Sequence, residues 1–202
     1  MKKSSCWPLL LIFLFLTGCG GKTFLVNLTY VPQAPPSLKV GPTSVAIAPF
    51  VDERNEKNDV GVRRRLDGSV DRYTTAPSSV AEVVKKAVGR FLRRNGFNVV
   101  DIPGWDLKPE SLAKIDTDLV VGGRINRLWS RADSVAGRTI ITTDLEIIIF
   151  LGKPKEGRVL QQGVEIGREI SQIVFSSDKI QETLNESLSE IIESAFAKLL
   201  SS

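Results

Sequence analysis

The stretch from Arg138 to Gly152, RTIITTDLEIIIFLG, constrains the fold more than any other part of the sequence. The side chains of one face occupy alternate positions: Thr143, Leu145, Ile147, Ile149 and Leu151. Thr142, Asp144 and Glu146 fall on the other face. Because successive side chains of a strand point to opposite sides of a sheet, this pattern predicts a long strand with one apolar face. Such a face has to be covered by a second layer.

Two segments with helical periodicity can supply that layer. Residues 79–95 carry one apolar stripe, Ser79 and Glu82 have the capping-box spacing at its start, and Gly96 suits the position after its end. The last helix is predicted to begin near Ser177. Its apolar residues share one side: Ile180, Leu184, Leu188, Ile191, Ile192, Ala195, Phe196 and Leu199.

The remaining periodic segments predict strands. They cover residues 44–52, a hairpin at about 60–75, a short strand at 97–100, and strands at 117–132 and 158–171. Asp67-Gly68 is the turn signal of the hairpin, of the kind that favours a type I′ turn. Gly122-Gly123 permits a bulge or close packing.

This order of elements predicts an α+β fold. We expect a two-layer sandwich in which a mixed, mostly antiparallel sheet carries both amphipathic helices on one face. The unit of strand, hairpin, helix and strand allows a right-handed parallel crossover back onto the same sheet. After a leader at 1–18 and a segment at 19–43, residues 44–202 form a single domain.

The N-terminus has the pattern of a secretory signal peptide. Lys2 and Lys3 precede an apolar run from Trp7 to Leu16, which is too short to span a bilayer. The order Leu16-Thr17-Gly18-Cys19 resembles the lipobox of bacterial lipoproteins. That resemblance implies cleavage before Cys19, acylation of this cysteine and anchoring of the chain in a membrane through its N-terminal lipid. Gly20 in the next position implies export to the outer membrane.

Cys19 has few other uses in the mature chain. Cys6 lies in the leader, so Cys19 has no partner for an intramolecular disulfide. The sequence contains no histidine, which excludes Cys/His zinc sites and Cys–His dyads. We therefore predict neither a metal site nor a cofactor.

Two alternatives remain for residues 19–43. Their prolines, Pro32, Pro35, Pro36 and Pro42, favour an extended tether between lipid and domain. The stretch Thr23–Val31, TFLVNLTYV, is instead typical of a strand, which would add to the edge of the sheet.

The charge gives no reason to expect a nucleic-acid partner. The net charge of +4 includes Lys2 and Lys3, so the chain from Cys19 onward carries 25 basic and 23 acidic residues, or +2. A catalytic function also has little support, because histidine is absent and the glycines match no phosphate-binding loop. No catalytic residue is predicted.

The candidate binding residues are basic or aromatic. Arg54 follows the first domain strand, where it either joins a recognition loop or pairs with a local carboxylate beside an Asp52 turn. Trp129 is either a core residue or an exposed anchor at a binding surface. The other candidates form two groups that could build a basic face: Arg63, Arg64 and Arg65, and Arg124, Arg127 and Arg131.

Several of these features together resemble the YajG-like bacterial lipoproteins. They are the lipobox, the proline-rich segment, VAIAPFVDER (residues 45–54), and the helix ending RRNGFNVV (residues 93–100). The first domain strand also resembles the N-terminal domain of TolB and the lipoproteins that activate penicillin-binding proteins. These resemblances imply a periplasmic binding module, not an enzyme, with an envelope protein or peptidoglycan as partner. An auxiliary lipoprotein of a lipid or envelope transport system is the alternative, and a periplasmic enzyme is the third.

Overall fold

A computed structural model describes residues 21–33, residue 35 and residues 43–201. The predicted leader at 1–18 and the cysteine at position 19 lie outside the described residues. So do the prolines at positions 36 and 42.

The described chain contains nine strands and two α-helices. The strands are β1 (Thr23–Leu25), β2 (Ser44–Ile47), β3 (Val51–Asp52), β4 (Asp59–Arg64), β5 (Val70–Thr74), β6 (Asn98–Asp101), β7 (Leu119–Val135), β8 (Arg138–Lys153) and β9 (Arg158–Gln172). The helices are α1 (Val80–Arg94) and α2 (Asp178–Leu199). Short 3-10 helices occur at Pro109–Lys114 and Pro154–Glu156.

The long strand β7 organises the sheet. One of its edges pairs antiparallel with β8 over almost its whole length, and β8 pairs in turn with β9. The other edge pairs in succession with β2, β3 and β4, all parallel. The strands β5 and β1 continue the sheet beyond β4, and β6 continues it beyond β2.

Both helices pack on one face of this sheet, which we call the inner face. One buried cluster joins the apolar stripes of α1 and α2 to the alternating residues of β7 and β8. Phe196 is fully buried and its ring lies 5.0 Å from that of Phe91, so α2 covers the sheet as predicted. Ser79 accepts a hydrogen bond from the Glu82 N–H at 3.2 Å, which confirms the predicted start of α1.

The α+β class is confirmed, whereas two details of the expected architecture are not. Five strand pairings in the described residues are parallel and three are antiparallel, because β2, β3 and β4 all run alongside β7 in its own direction. The second detail is a partial third layer on the opposite, outer face, where Trp105 and Leu112 pack against Ala46 and Val120. The structure therefore shows a mixed sheet with both helices on one face, and it does not confirm the mostly antiparallel two-layer sandwich.

Two expectations about glycines can also be compared with the structure. In the β4–β5 hairpin, Gly68 has a φ of 81°, but Asp67 does not have a positive φ, so the turn is not of type I′. In β7 the bulge lies between Ile125 and Arg127, not at Gly122-Gly123. The two glycines serve close packing, because a Cβ on Gly123 would lie 2.3 Å from the Phe50 ring.

The segment 21–33 is part of the folded domain. After β1 has paired with β5, the chain runs extended along α2. Backbone N–H groups of residues 27, 29 and 31 donate to the side chains of Gln181, Asn185 and Ser189 at 2.7–2.9 Å. Two residues of a strand rise about 6.6 Å and four residues of a helix about 6 Å, so the two periods match. Of the two alternatives for this segment, the structure shows the added strand.

Candidate functional site

The candidate site lies where one edge of β7 has a gap in its strand pairing. On this edge, β3 pairs with Arg124 and Ile125, and β4 pairs only from Ser130 onward. No described strand pairs with residues 126–129 on that edge. The loop 53–58 crosses the gap instead, beside the bulge.

The side chain of Arg54 fills this gap. Its Nε and Nη2 atoms donate to the two carboxylate oxygens of Asp52, each at 2.9 Å. The Nη1 atom donates to the carbonyls of Asp59 and Leu128 at 3.0 Å, and Nη2 also donates to the carbonyl of Lys57 at 2.9 Å. All five N–H groups of the guanidinium are therefore bonded within the domain. Arg54 holds the loop in place and has no donor left for a partner.

Asp52 organises the loop from the other side. Its carboxylate accepts the backbone N–H of Arg54 at 3.1 Å, which is the local turn that the sequence allowed. Its carbonyl accepts from the ammonium of Lys57 at 2.7 Å. The loop that borders the site is consequently fixed by charged hydrogen bonds at both of its ends.

A cleft of about 450 Å³ opens between this loop and the sheet. Its walls are Glu53, Arg54, Asn55, Glu56, Asn126, Arg127, Leu128, Trp129 and Asp144. The volume falls within the ~300–1,000 Å³ typical of small-ligand sites. Amide, carboxylate, guanidinium and indole groups converge there, an arrangement suited to binding a polar ligand with an apolar face.

Trp129 is the apolar surface of the cleft. It lies on the outer face of β7 opposite Asp144 of β8, is half-buried, and belongs to neither apolar cluster. Its indole N–H makes no hydrogen bond to any described residue. Trp129 is therefore not part of the apolar core, and its role as a binding anchor stays a prediction.

Ion pairs and hydrogen bonds join several of the polar side chains around Trp129. Arg127 lies 2.9 Å from Glu165 and 3.8 Å from Glu146, and Glu146 also accepts from the Asn126 amide at 2.9 Å. The Oδ1 atom of Asn126 is buried and has no partner among the described residues. The outer face is therefore a mixed polar surface with one unsatisfied acceptor beside the cleft.

The predicted arginines do not form one basic face. Arg124 lies 3.7 Å from Glu53 at the cleft rim, and Arg131 pairs with Asp133 at 2.8 Å. The structure thus brings Arg54, Arg124, Arg127 and Trp129 together and places Arg131 next to them.

The group from Arg63 to Arg65 lies elsewhere, at the far end of β4. The Arg63 guanidinium stacks 3.8 Å from the Phe175 ring centre and bonds to Ser134. Arg65 pairs with the buried Asp71 at 2.8 Å, and Arg64 is exposed. This group does not contribute to the Trp129 cleft.

A second cleft, of about 560 Å³, was not predicted from the sequence. Its apolar wall consists of Val100, Ile102, Pro103, Trp105 and Ile115. The segment that forms it packs against glycines of the outer face: a Cβ on Gly152 would lie 2.5 Å from Leu112 and 3.1 Å from Trp105. The glycines at 122 and 152 were the available signal, since each sits in a strand where a side chain would otherwise fill this space.

The described residues contain no group of three or more His, Cys, Asp or Glu side chains placed to hold a metal ion. Within the same residues, no helix has the length and apolar character needed to span a bilayer.

Comparison with known proteins finds solved structures with a similar fold. No family model and no curated protein matches the chain. Protein XCC0632 from Xanthomonas campestris, of the DUF330 family, superposes with a TM-score of 0.54 at 12% identity, over 85% of this chain and 90% of that one. Lipoprotein GNA1162 from Neisseria meningitidis gives 0.37 at 12% identity, over 75% and 99%. The PelC dodecamer from Paraburkholderia phytofirmans gives 0.45 at 11% identity, over 78% and 89%. The first similarity shows a shared fold, and the other two are too weak to support an argument.

Proposed function

We propose that this chain is a lipid-anchored lipoprotein of the bacterial cell envelope, and that its domain is a non-catalytic binding module. Cys19 carries the lipid, the anchor lies in the outer membrane, and the domain faces the periplasm. Support for the anchor comes from the sequence: the short apolar run, the lipobox pattern and a cysteine without a partner.

The observation that carries the binding function is the half-exposed Trp129 in a cleft that Arg54 holds open. A partly exposed indole beside converging polar groups is typical of an interface anchor. The partner is another envelope component, a protein or peptidoglycan. The complete absence of histidine argues against acid–base chemistry at this site.

The anchor is tested by metabolic labelling with a fatty-acid analogue. The parent should be labelled and Cys19→Ala should not. Equal labelling of the two would refute the anchor.

The binding site is tested by photo-crosslinking from position 129 in intact cells, followed by mass spectrometry. Lys86 on α1, whose side chain is 59% exposed, is the control position. We expect adducts from 129 and none from 86, and digestion with lysozyme distinguishes a peptidoglycan adduct from a protein adduct. Trp129→Ala should weaken binding of the captured partner by about 2 kcal/mol or more, roughly 30-fold. Equal adducts from both positions, or none from 129, would refute this site.

The second cleft favours one alternative, an auxiliary lipoprotein of a lipid or envelope transport system. Its apolar wall around Trp105 suits an acyl chain, whereas the space between the helices and the sheet is filled by the core. With Trp129→Phe, Trp105 is the one tryptophan left after residue 18, and its emission should shift when phospholipid is added. An unchanged spectrum would exclude this alternative.

A further inference from the structure

Several strands end together at one end of the sheet. A single row of paired residues crosses five of them: Val70, Arg64, Asp133, Ile140 and Ser171. Just beyond this row lie the β4–β5 turn, the β7–β8 turn and the loop before α2. We call this region the hairpin end and define it as residues 21–22, 63–72, 131–139 and 171–179.

The tips of the hairpin end expose large apolar side chains. Ile173 is 87% exposed, Val174 83% and Leu66 73%. Val70 and Val135 add further apolar surface at 43% and 39%. Turns in soluble domains are usually polar, and several exposed apolar side chains at one end mark an interaction surface.

The hairpin end is also basic. It contains eight basic residues, Lys22, Arg63, Arg64, Arg65, Arg72, Arg131, Arg138 and Lys179, and four acidic ones, Asp67, Asp71, Asp133 and Asp178. The net charge of +4 here compares with +2 for the whole chain from Cys19 onward. Arg64 and Arg138 are exposed and form no ion pair with a described residue. Apolar tips surrounded by cations are the combination that binds anionic bilayers.

The described chain begins at this same end. The N–H of Lys22 donates to the Asp71 carboxylate at 2.9 Å, and the Lys22 carbonyl accepts the N–H of Arg72 at 2.8 Å. The preceding Gly21 lies so close to Val70 that a Cβ would be 1.6 Å from the Val70 carbonyl oxygen. Cys19 is two residues earlier in the sequence, and two residues of chain span at most about 7 Å. A lipid on Cys19 must therefore enter the bilayer next to the hairpin end.

We propose that the hairpin end docks on the bilayer that holds the anchor. Leu66, Ile173 and Val174 enter the boundary between head groups and acyl chains, and the surrounding arginines bind lipid phosphates. The long strands then point away from the membrane, with Trp129 about six residues, or ~20 Å, above Val135. This inference rests on the proposed anchor at Cys19. It adds an orientation that the anchor alone does not impose.

The experiment uses the full lipidated protein in vesicles of phosphatidylcholine and phosphatidylglycerol. The chain after residue 18 has one cysteine, which the lipid occupies, so an introduced cysteine is the only free thiol. Leu66→Cys and Ile173→Cys receive an environment-sensitive fluorophore, and spin-labelled lipids serve as quenchers. Val51→Cys is the matched control, because Val51 is 49% exposed, lines neither cleft and pairs with Arg124, about 30 Å along β7 from Asp133.

We expect a blue shift and lipid quenching at positions 66 and 173, and neither at 51. Arg64→Glu combined with Arg138→Glu should reduce the quenching while the protein still floats with the vesicles. If the protein floats with the vesicles but shows no quenching, the docking is refuted and the anchor is not. A blue shift without quenching would show that a protein covers this end, and equal quenching at 51 would show a different orientation. Both results overturn the proposal. Failure to float would refute the anchor and the docking with it.

Discussion

The guanidinium of Arg54 donates a 3.0 Å hydrogen bond to the carbonyl of Leu128, which is 74 residues away in the chain. That carbonyl lies where β7 has no strand partner on this edge among the described residues. A side chain therefore replaces a missing stretch of backbone pairing, and the cleft beside Trp129 depends on it.

Replacing Arg54 should destabilise the domain severely. Arg54→Met leaves a nearly buried Asp52 carboxylate and three carbonyl groups without their donor, which typically costs about 3–5 kcal/mol. Urea denaturation measures the effect. The control is Arg124→Met, which removes an exposed 3.7 Å ion pair and should cost no more than about 1 kcal/mol. Similar losses for both variants would contradict the role of Arg54.

A methyl group at Gly123 should strain the core. A Cβ there would lie 2.3 Å from the Phe50 ring and 2.7 Å from the Ile148 carbonyl oxygen, and overpacking of this kind costs about 1–3 kcal/mol. Gly163→Ala is the control, since its Cβ would have only an ordinary 3.8 Å contact. Thermal melting should show a clear loss for Gly123→Ala and little change for Gly163→Ala. If both melted like the parent, the close approach of Phe50 would be wrong.

Truncating Phe196 should remove part of the shared core of α1, α2 and the sheet. Phe196→Ala is expected to cost about 3–5 kcal/mol, because the side chain is fully buried against Phe91. Val174→Ala, at a side chain that is 83% exposed, should stay within about 0.5 kcal/mol of the parent. A Phe196→Ala variant as stable as the parent would mean that α2 is a free docking element.

Tyr73→Phe should leave the stability unchanged or raise it. The hydroxyl is buried without a partner among the described residues, and burial, followed by the nearby Asp71 charge, raises the pKa of Tyr73 to about 12. Removing a buried polar group that lacks a hydrogen bond relieves its desolvation cost. Tyr30→Phe is the contrast, because it loses a 2.7 Å bond to Glu193 and should destabilise. Chemical denaturation that ranked the two variants the other way would contradict this assignment.

The domain should lose stability in acid partly through Asp118. A hydrogen bond from Lys155 at 2.7 Å, then bonds from the backbone and the hydroxyl of Ser44, hold the pKa of Asp118 well below its usual range. A group with a depressed folded-state pKa stabilises above its unfolded pKa, here ~3.9, and this contribution disappears as the pH falls below that value. The melting temperatures of the parent and Asp118→Asn should differ at pH 6 and converge in strong acid. A pH-independent difference would argue against this linkage.

Hydrophobic periodicity predicted most of the helices and strands. It could not predict which strands pair with each other. The alternation in residues 138–152 and the stripe ending at Phe196 identify a strand and a helix because each pattern repeats with the period of its element. The same patterns contain no information on partners, so the parallel runs of β2, β3 and β4 along β7 were missed.

The candidate site shows the same limit. Arg54 and Trp129 were visible as unusual residue types, but the cleft between them depends on a loop that crosses a gap, which no local pattern encodes. The segment 102–117 lacks periodicity altogether. Its place on the outer face follows from the space above Gly122 and Gly152, and complementarity of this kind appears only once the strands are assembled.

The hydrogen bonds from residues 27, 29 and 31 to α2 span 154–158 positions of the chain. During synthesis the first partner of each pair is made long before the second, by on the order of 10–30 s at ribosomal rates of ~5–20 residues/s. Contacts so distant in sequence also form late in folding, because the entropy cost of closing a large loop comes before the contacts can stabilise the chain. Residues 27–31 thus stay accessible to any enzyme that acts on them until α2 has been made and has folded.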